Sequence, residues 1–164
     1  MKKIKITTKK NKINQAVILC GGLGLRISKI TKYTPKPLIK VNGITVIEHI
    51  IKNFARFGIN EILLLCGYKS FLFKKKFHNK KLFGVSIKCV SEKKPLGTSG
   101  ALYQSKKYLK DNFLIANGDT FFDININDLI INFFKKKNAL LFLSLKRMKK
   151  ISRYDVFSIK KKNL

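Results

Sequence analysis

The sequence has 164 residues, and its 36 Lys+Arg against 8 Asp+Glu give a formal net charge of +28. This length suits one domain, and the 45% of hydrophobic residues is a globular proportion. The sequence shows neither a signal peptide nor an apolar run near the roughly 20 residues that span a bilayer, so we expect a cytoplasmic protein without membrane contact. The three cysteines are far apart, which argues against a disulfide framework or a zinc site.

The basic charge is typical of proteins that bind nucleic acid or an acidic membrane surface. However, the lysines are scattered in small clusters, and the abundance of Lys, Ile, Asn and Phe matches AT-rich codons. A dedicated nucleic-acid reader favours Arg and interleaves aromatic residues. We therefore expect no specific nucleic-acid partner, and we keep a basic polyanion-binding protein as an alternative. The chain divides into a basic N-terminal arm, 1–12, which could be disordered, and a domain over 13–164.

The first predicted element is a buried strand at Gln15–Cys20, an apolar run that stops at glycines. A loop-rich stretch, 21–37, leads to a short strand at Leu38–Val41. Residues 45–48 fit a capping box, so a helix begins there and ends at Gly58.

Strands and helices continue to alternate in the rest of the chain. In order, it predicts a buried strand at Glu61–Cys66, a helix at Lys69–Phe77, a strand at Val85–Val90, a helix at Thr98–Leu109, a buried strand at Phe113–Ala116, a helix at Ile124–Phe134 and strands at Ala139–Leu145 and Tyr154–Ile159. Asp123 or Asn125 would cap the last helix. The alternation indicates an α/β fold with a mostly parallel sheet and helices on both faces.

Ligands of such sheets bind beyond the carboxyl ends of the strands. In this sequence, a glycine-rich loop follows the carboxyl end of the first predicted strand. Gly21, Gly22 and Gly24 let the backbone approach an anion, and Arg26 can bind a phosphate with two hydrogen bonds. The loop is not a Walker motif, because Lys-Ser/Thr does not follow its last glycine. It is also a poor dinucleotide fingerprint, because Ile27 stands where the third glycine should be. A tight structural turn is the alternative reading of these glycines.

Lys36 lies between Pro35 and Pro37, which are two of only three prolines in the sequence. Proline fixes its own φ and holds the preceding residue extended, so the backbone that directs the Lys36 side chain is expected to be rigid. We predict that Lys36 binds phosphate. A solvated surface group is the alternative for any lysine in so basic a chain.

Two acidic residues complete the predicted site. Asp119 follows a buried strand and could hold a divalent cation, typically Mg²⁺, although an Asx turn or helix cap would also explain it. Asp123 could be a second carboxylate or an N-cap. Glu92 precedes a helix start bracketed by Gly97 and Gly100, where a ligand could approach closely, and a solvated charge is its alternative.

In their order and spacing, these segments resemble the sugar-1-phosphate nucleotidylyltransferase family. The segments are Gly21-Gly22-Leu23-Gly24-Leu25-Arg26, Pro35-Lys36-Pro37-Leu38, Val41-Asn42-Gly43, Pro95-Leu96-Gly97-Thr98 and Asn117-Gly118-Asp119-Thr120. The resemblance covers about residues 15 to 154, and it is strongest to the guanylyltransferases that act on heptose and mannose 1-phosphates.

The resemblance implies a Rossmann-like nucleotidyltransferase fold that joins an NTP, with GTP expected, to a sugar 1-phosphate and releases pyrophosphate. It implies catalytic roles for Arg26, Lys36 and Asp119, and a Mg²⁺ ion on Asp119. It implies nucleotide contacts from Gly21, Gly22, Gly24, Arg26, Lys36, Glu92, Gly97 and Thr98. Glu92 stands where the family reads the base.

The sequence departs from the family in two respects. Leu25 stands where the family usually has Thr, and the sequence stops soon after Tyr154, where the family continues with strands that carry sugar contacts and a second metal-binding carboxylate. We therefore expect an incomplete domain from an enzyme of nucleotide-sugar and cell-surface polysaccharide biosynthesis. The alternative is a truncated, inactive relative that binds nucleotide or a partner. Exposed apolar sheet surface would favour a homo-oligomer.

Overall fold

The structure is a computed structural model that describes residues 12–22, 34–92, 94–136 and 138–146. Its strands are β1 Gln15–Cys20, β2 Lys40–Val41, β3 Ile44–Thr45, β4 Glu61–Cys66, β5 Lys80–Leu82, β6 Val85–Ser91 and β7 Leu114–Asn117. Its α-helices are α1 Val46–Arg56, α2 Ser70–Phe77, α3 Gly97–Gln104 and α4 Ile126–Lys135. Short 3-10 turns at Lys36–Leu38 and Lys106–Tyr108 complete the regular structure of the described ranges.

The central sheet has the strand order β5-β6-β4-β1-β7, and β2 pairs with β3 in a separate hairpin. Strands β6, β4, β1 and β7 are parallel, whereas β5 runs antiparallel to β6. The chain builds outward from β1 to β6 and then returns to add β7 on the other side of β1. This reversal creates a topological switch point at the carboxyl ends of β1 and β7, where open α/β sheets bind ligands.

Helices cover both faces of the sheet, as the sequence predicts. Helices α1, α2 and α4 bury apolar side chains on one face, including Ile51, Phe73 and Ile126. A smaller cluster on the other face packs Ala101 of α3 against Val17 and neighbouring leucines of the sheet. Because each fully buried large aliphatic or aromatic side chain contributes about 1.5–3 kcal/mol, this two-sided burial stabilises the parallel strands.

A capping box begins α1, which confirms the prediction from residues 45–48. The Thr45 hydroxyl accepts from the Glu48 backbone N–H at 3.4 Å, and the Thr45 backbone N–H donates to Glu48 Oε2 at 2.7 Å. Burial acts to raise the pKa of Glu48, but the hydrogen bonds from Thr45 and the ion pair with Lys76 lower it below the usual value. The box therefore retains an ionised carboxylate at neutral pH, which suits the positive end of the helix dipole.

Three predicted elements differ from the structure. The helix expected at Thr98–Leu109 ends at Gln104, where the Ser105 hydroxyl donates to the Ala101 carbonyl and a 3-10 turn follows. The strand expected at Leu38–Val41 begins only at Lys40, because a 3-10 turn precedes it. The strand expected at Ala139–Leu145 is irregular and exposed, since no described strand pairs with it.

The other expected strands and helices within the described ranges are present, with shifts of a few residues at their ends. Asn125, rather than Asp123, caps α4 by accepting two backbone N–H bonds. The strand expected at Tyr154–Ile159 lies outside the described residues, as does the arm up to residue 11.

The three cysteines end or nearly end neighbouring strands, and all are free and buried. Cys20 and Cys66 stand opposite one another in β1 and β4, and Cys89 is in β6. Burial raises the pKa of the Cys20 thiol, so it stays protonated. The prediction of buried, reduced thiols is therefore confirmed. None of the helices in the described ranges combines the length and apolar character needed to cross a membrane.

Candidate functional site

An ion pair joins two loops that the sequence places far apart. Lys36 Nζ donates to Asp119 Oδ2 at 3.0 Å across a sequence separation of 83 residues. Asp119 follows β7 by two residues, and Lys36 begins the 3-10 turn that precedes the β2–β3 hairpin. The two side chains are 40% and 41% exposed, so a ligand from solvent can reach both.

Two buried prolines fix the backbone that carries Lys36. Pro35 and Pro37 are buried, whereas Lys36 between them is only partly covered. The Leu38 N–H donates to the Pro35 carbonyl at 2.8 Å, which closes the 3-10 turn. The segment is then tied to the start of α1, because the Val46 N–H donates to the Ile39 carbonyl at 3.0 Å. The fold therefore anchors the main chain of Lys36 and leaves its ammonium group accessible.

Asp119 is held by side chains on both of its oxygen atoms. The Thr120 hydroxyl donates to Oδ1 at 3.0 Å, and Lys36 donates to Oδ2. Partial burial acts to raise the pKa of Asp119, but the hydrogen bonds and the charge of Lys36 outweigh it and lower the pKa. Asp119 is therefore an ionised and oriented carboxylate at neutral pH.

A second group of residues meets where β1, β4 and β6 end. Glu92 follows β6, yet its Oε1 would lie 3.5 Å from a Cβ atom placed on Gly21, which follows β1. Gly67 follows β4, between them, and a Cβ atom there would lie only 2.9 Å from Gly21 Cα and O. The missing side chain of Gly67 thus allows the ends of β1 and β4 to approach closely, and Glu92 lies beside Gly21 at that edge.

The carboxylate of Glu92 is also tied to the start of α3. Its Oε2 accepts from the Leu96 backbone N–H at 3.3 Å, while its own N–H donates to the Cys66 carbonyl at 2.9 Å. Gly97 has φ +67°, and it begins α3 beside the exposed Thr98. Among the described residues, the N-cap residue Leu96 makes no side-chain hydrogen bond to the first turn of α3.

Asp119 offers a carboxylate that suits a hard divalent cation. Among the described residues, no group of three or more His, Cys, Asp or Glu side chains is placed to hold a metal ion. An ionised carboxylate is a preferred Mg²⁺ ligand, and such sites often use one or two carboxylates together with substrate phosphates. Asp119 therefore fits a cation that also coordinates a phosphate, but not a site made by protein alone.

The structure brings the predicted residues together as two pairs at the carboxyl edge of the sheet. Lys36 contacts Asp119, and Glu92 lies beside Gly21; Gly22 is exposed next to that second pair. The predicted phosphate-binding residues Gly24 and Arg26 lie outside the described residues.

Two residues that contribute to the candidate site, Gly67 and Thr120, were not predicted from the sequence. Gly67 follows an apolar strand as Gly21 does, and that shared pattern could have identified it. Thr120 belongs to the Asn117–Thr120 motif, and a hydroxyl next to a carboxylate is a frequent local hydrogen-bond donor.

Comparisons with known sequences identify the family of the chain. A family model described as nucleotidyl transferase matches residues 15–163. The chain is 39% identical over 150 residues to D-glycero-alpha-D-manno-heptose 1-phosphate guanylyltransferase of Campylobacter jejuni, covering 92% of this chain and 65% of that protein. It is 34% identical over 141 residues to the enzyme of the same name from Aneurinibacillus thermoaerophilus, covering 85% of this chain and 60% of that protein. The chain thus spans less than two thirds of the length of these relatives.

Solved structures give the same architecture. HddC from Yersinia pseudotuberculosis, also solved in complex with GMP-PN, aligns with a TM-score of 0.64 and 26% identity, covering 73% of this chain and 54% of HddC. The UTP-bound UGPase of Acinetobacter baumannii aligns with a TM-score of 0.67 over 77% of this chain and 54% of its own, but at 19% identity it shows the fold alone.

Proposed function

Because the chain belongs to the nucleotidyl transferase family, we propose that it forms the nucleotide-binding part of a sugar-1-phosphate nucleotidylyltransferase. The reaction joins an NTP, expected to be GTP, to a heptose- or mannose-type sugar 1-phosphate and releases pyrophosphate. The named activities of the two guanylyltransferase relatives support this choice of substrates. The observation that carries the proposal is the Lys36–Asp119 ion pair, which lies next to the switch point of the sheet.

The chemistry needs positioning and charge neutralisation rather than a strong base. A sugar 1-phosphate is already an anionic nucleophile, so its oxygen can attack the α-phosphorus in line while pyrophosphate leaves. Lys36 would bind the α-phosphate and offset the negative charge that develops there. Arg26, Gly21, Gly22 and Gly24 would bind the remainder of the triphosphate.

Asp119 would hold a Mg²⁺ ion, which would supply further positive charge to the phosphate groups when bound. The Thr120 hydroxyl would keep the carboxylate oriented toward that ion. The two histidines take no part, since His49 is hydrogen-bonded to the Val41 carbonyl and His78 accepts from the Cys89 N–H. A cytoplasmic location belongs to the same proposal, since three free buried thiols suit a reducing compartment.

Turnover tests the proposed function directly. The full chain is incubated with GTP, Mg²⁺ and either heptose 1-phosphate or mannose 1-phosphate, and pyrophosphate release is measured. We expect the NDP-sugar to form, with GTP used in preference to other nucleotides. Saturable GTP binding without product would instead favour the inactive relative. Binding that depends only on salt, equally strong for generic DNA, would favour the polyanion-binding alternative.

The base preference is a separate prediction about Glu92. Guanine presents two neighbouring donors, N1–H and the 2-amino group, and an ionised carboxylate can accept both. Other bases would leave a buried polar group unpaired at a cost of about 1–3 kcal/mol, which corresponds to about a tenfold to hundredfold preference for GTP. We expect Glu92→Gln to abolish this preference in competition binding against ATP, UTP, CTP and dTTP.

Glu61→Gln is the matched control, because it makes the same chemical change at the amino end of β4, beside Lys110. The control should retain the wild-type preference. An intact GTP preference in the Glu92→Gln protein would show that Glu92 does not read the base. The hydrogen bond from the Leu96 N–H holds Glu92 Oε2, so the glutamine side chain can keep this local contact through its oxygen.

A further inference from the structure

Both oxygen atoms of the Asp119 carboxylate accept a hydrogen bond from this chain. Thr120 donates to Oδ1 at 3.0 Å, and the charged Lys36 ammonium donates to Oδ2 at 3.0 Å. A divalent cation that binds Asp119 would meet Lys36 at the same carboxylate. Two cations so close repel one another, and the repulsion grows with the double charge of the metal ion.

We propose that Lys36 and the divalent cation compete for Asp119, and that the cation binds tightly only after a triphosphate draws Lys36 away. This inference rests on the proposed function, which assigns Asp119 to the cation and Lys36 to the phosphate. Lys36 has no other acidic partner among the described residues, so Asp119 alone neutralises it there. A phosphate group would offer Lys36 a replacement.

The ion pair has the properties that such an exchange requires. Its side chains are 40% and 41% exposed, and solvent-exposed ion pairs of this kind are weak enough to exchange readily. The buried Pro35 and Pro37 hold the backbone, while the flexible four-carbon stem of lysine lets Nζ turn from carboxylate to phosphate. Thr120 stays on Oδ1 and keeps the carboxylate oriented. The exchange therefore needs only a side-chain rotation.

The competition between Lys36 and the cation implies that the triphosphate and the cation bind cooperatively. If the triphosphate removes Lys36 from Asp119, it raises the affinity of the protein for the cation. Thermodynamic linkage then requires the cation to raise the affinity for the triphosphate by the same factor. The affinity of the protein for the cation would therefore be low until the nucleotide is bound.

The variant Lys36→Met separates the two halves of the exchange. Mn²⁺ alone is titrated by electron paramagnetic resonance, and we expect the variant to bind it about fivefold to tenfold more tightly than wild type, because a competing positive charge is gone. GTP is titrated separately in EDTA. We expect metal-free GTP to bind the variant about tenfold to a hundredfold more weakly, because a charged hydrogen bond to phosphate is lost.

Lys40→Met is the control, since it removes the same charge from an exposed residue of β2 that forms no ion pair with the described residues. It should leave both affinities within about twofold of wild type, as expected for a solvated surface charge. A misfolded variant would lose both ligands, so opposite shifts cannot arise from damage to the fold.

Unchanged or weaker Mn²⁺ binding by Lys36→Met would overturn the competition, even if wild-type GTP turnover upholds the proposed function. Tighter Mn²⁺ binding with unchanged GTP binding would also overturn it, because Lys36 would not be exchanged onto phosphate. If wild type neither binds nor turns over GTP, the proposed function is wrong and the exchange onto phosphate falls with it. The Mn²⁺ titration then reports only whether Lys36 excludes a cation from Asp119.

Discussion

An Asp119→Asn protein is expected to lose about a hundredfold or more of its Mg²⁺-dependent turnover, the scale typical of removing one group that stabilises transition-state charge. Asparagine keeps the shape of the side chain but lacks the negative charge that attracts a divalent cation. Its amide would also face Lys36 without an ion pair. Turnover and nucleotide affinity are measured across a Mg²⁺ titration, with the folded state checked by thermal unfolding.

Asp111→Asn makes the same change at an exposed carboxylate, before the amino end of β7, and should behave as wild type. Asp123 is exposed, and Asn125 rather than Asp123 is the N-cap of α4. The variant Asp123→Asn therefore tests whether Asp123 is a second carboxylate of the site. A folded Asp119→Asn protein with an unchanged Mg²⁺ requirement would remove Asp119 from the metal site.

Gly67→Ala is expected to weaken nucleotide binding by about tenfold to a hundredfold, because misplacing a site by about 1 Å can cost that much. The new Cβ atom would lie 2.9 Å from both Cα and O of Gly21, and neither backbone atom can rotate away. The ends of β1 and β4 would have to separate, which should also destabilise the fold by about 1–3 kcal/mol. Chemical denaturation and GTP titration measure the two losses.

Gly22→Ala provides the comparison, because a Cβ atom on this exposed glycine meets no atom of the described residues within 4 Å. Its stability should match wild type, while a nucleotide that approaches the loop backbone closely would bind it more weakly. If Gly67→Ala retained full stability and full affinity, the close approach of the two strand ends would have no role in either.

The parallel core could be predicted because its strands are uniform apolar runs. Gln15–Cys20 and Glu61–Cys66 are buried on both faces, so their sequences carry a signal that needs no knowledge of neighbours. The antiparallel strand β5, Lys80–Leu82, is short and mostly exposed, and no strand was predicted there. The apolar segment Ala139–Leu145 has the composition of a strand, but it pairs with no described strand and is irregular in the structure. Strand pairing depends on neighbours that local patterns do not contain.

The residue types of the site could be predicted, but their contacts could not. Glycine, lysine and aspartate in strand-end loops indicate phosphate and metal chemistry from the sequence alone. The direct Lys36–Asp119 contact depends on the order of strands, because β7 returns to the side of β1 away from β4. The close approach of Gly21 to the end of β4 depends on Gly67, where a side chain would collide with the Gly21 backbone.

Strand β7 joins the sheet through one described neighbour, in contrast to the doubly paired β1 and β4. Its four paired residues lie far along the chain from those of β1, so this contact closes a long loop and is expected to form late in folding. Because β7 has a single described neighbour, local unfolding is expected to break this contact more readily than the pairing of β1 with β4. Detachment of β7 would carry Asp119 away from Lys36, so a ligand that bridges these two residues should slow amide hydrogen exchange in β7 more than in β4.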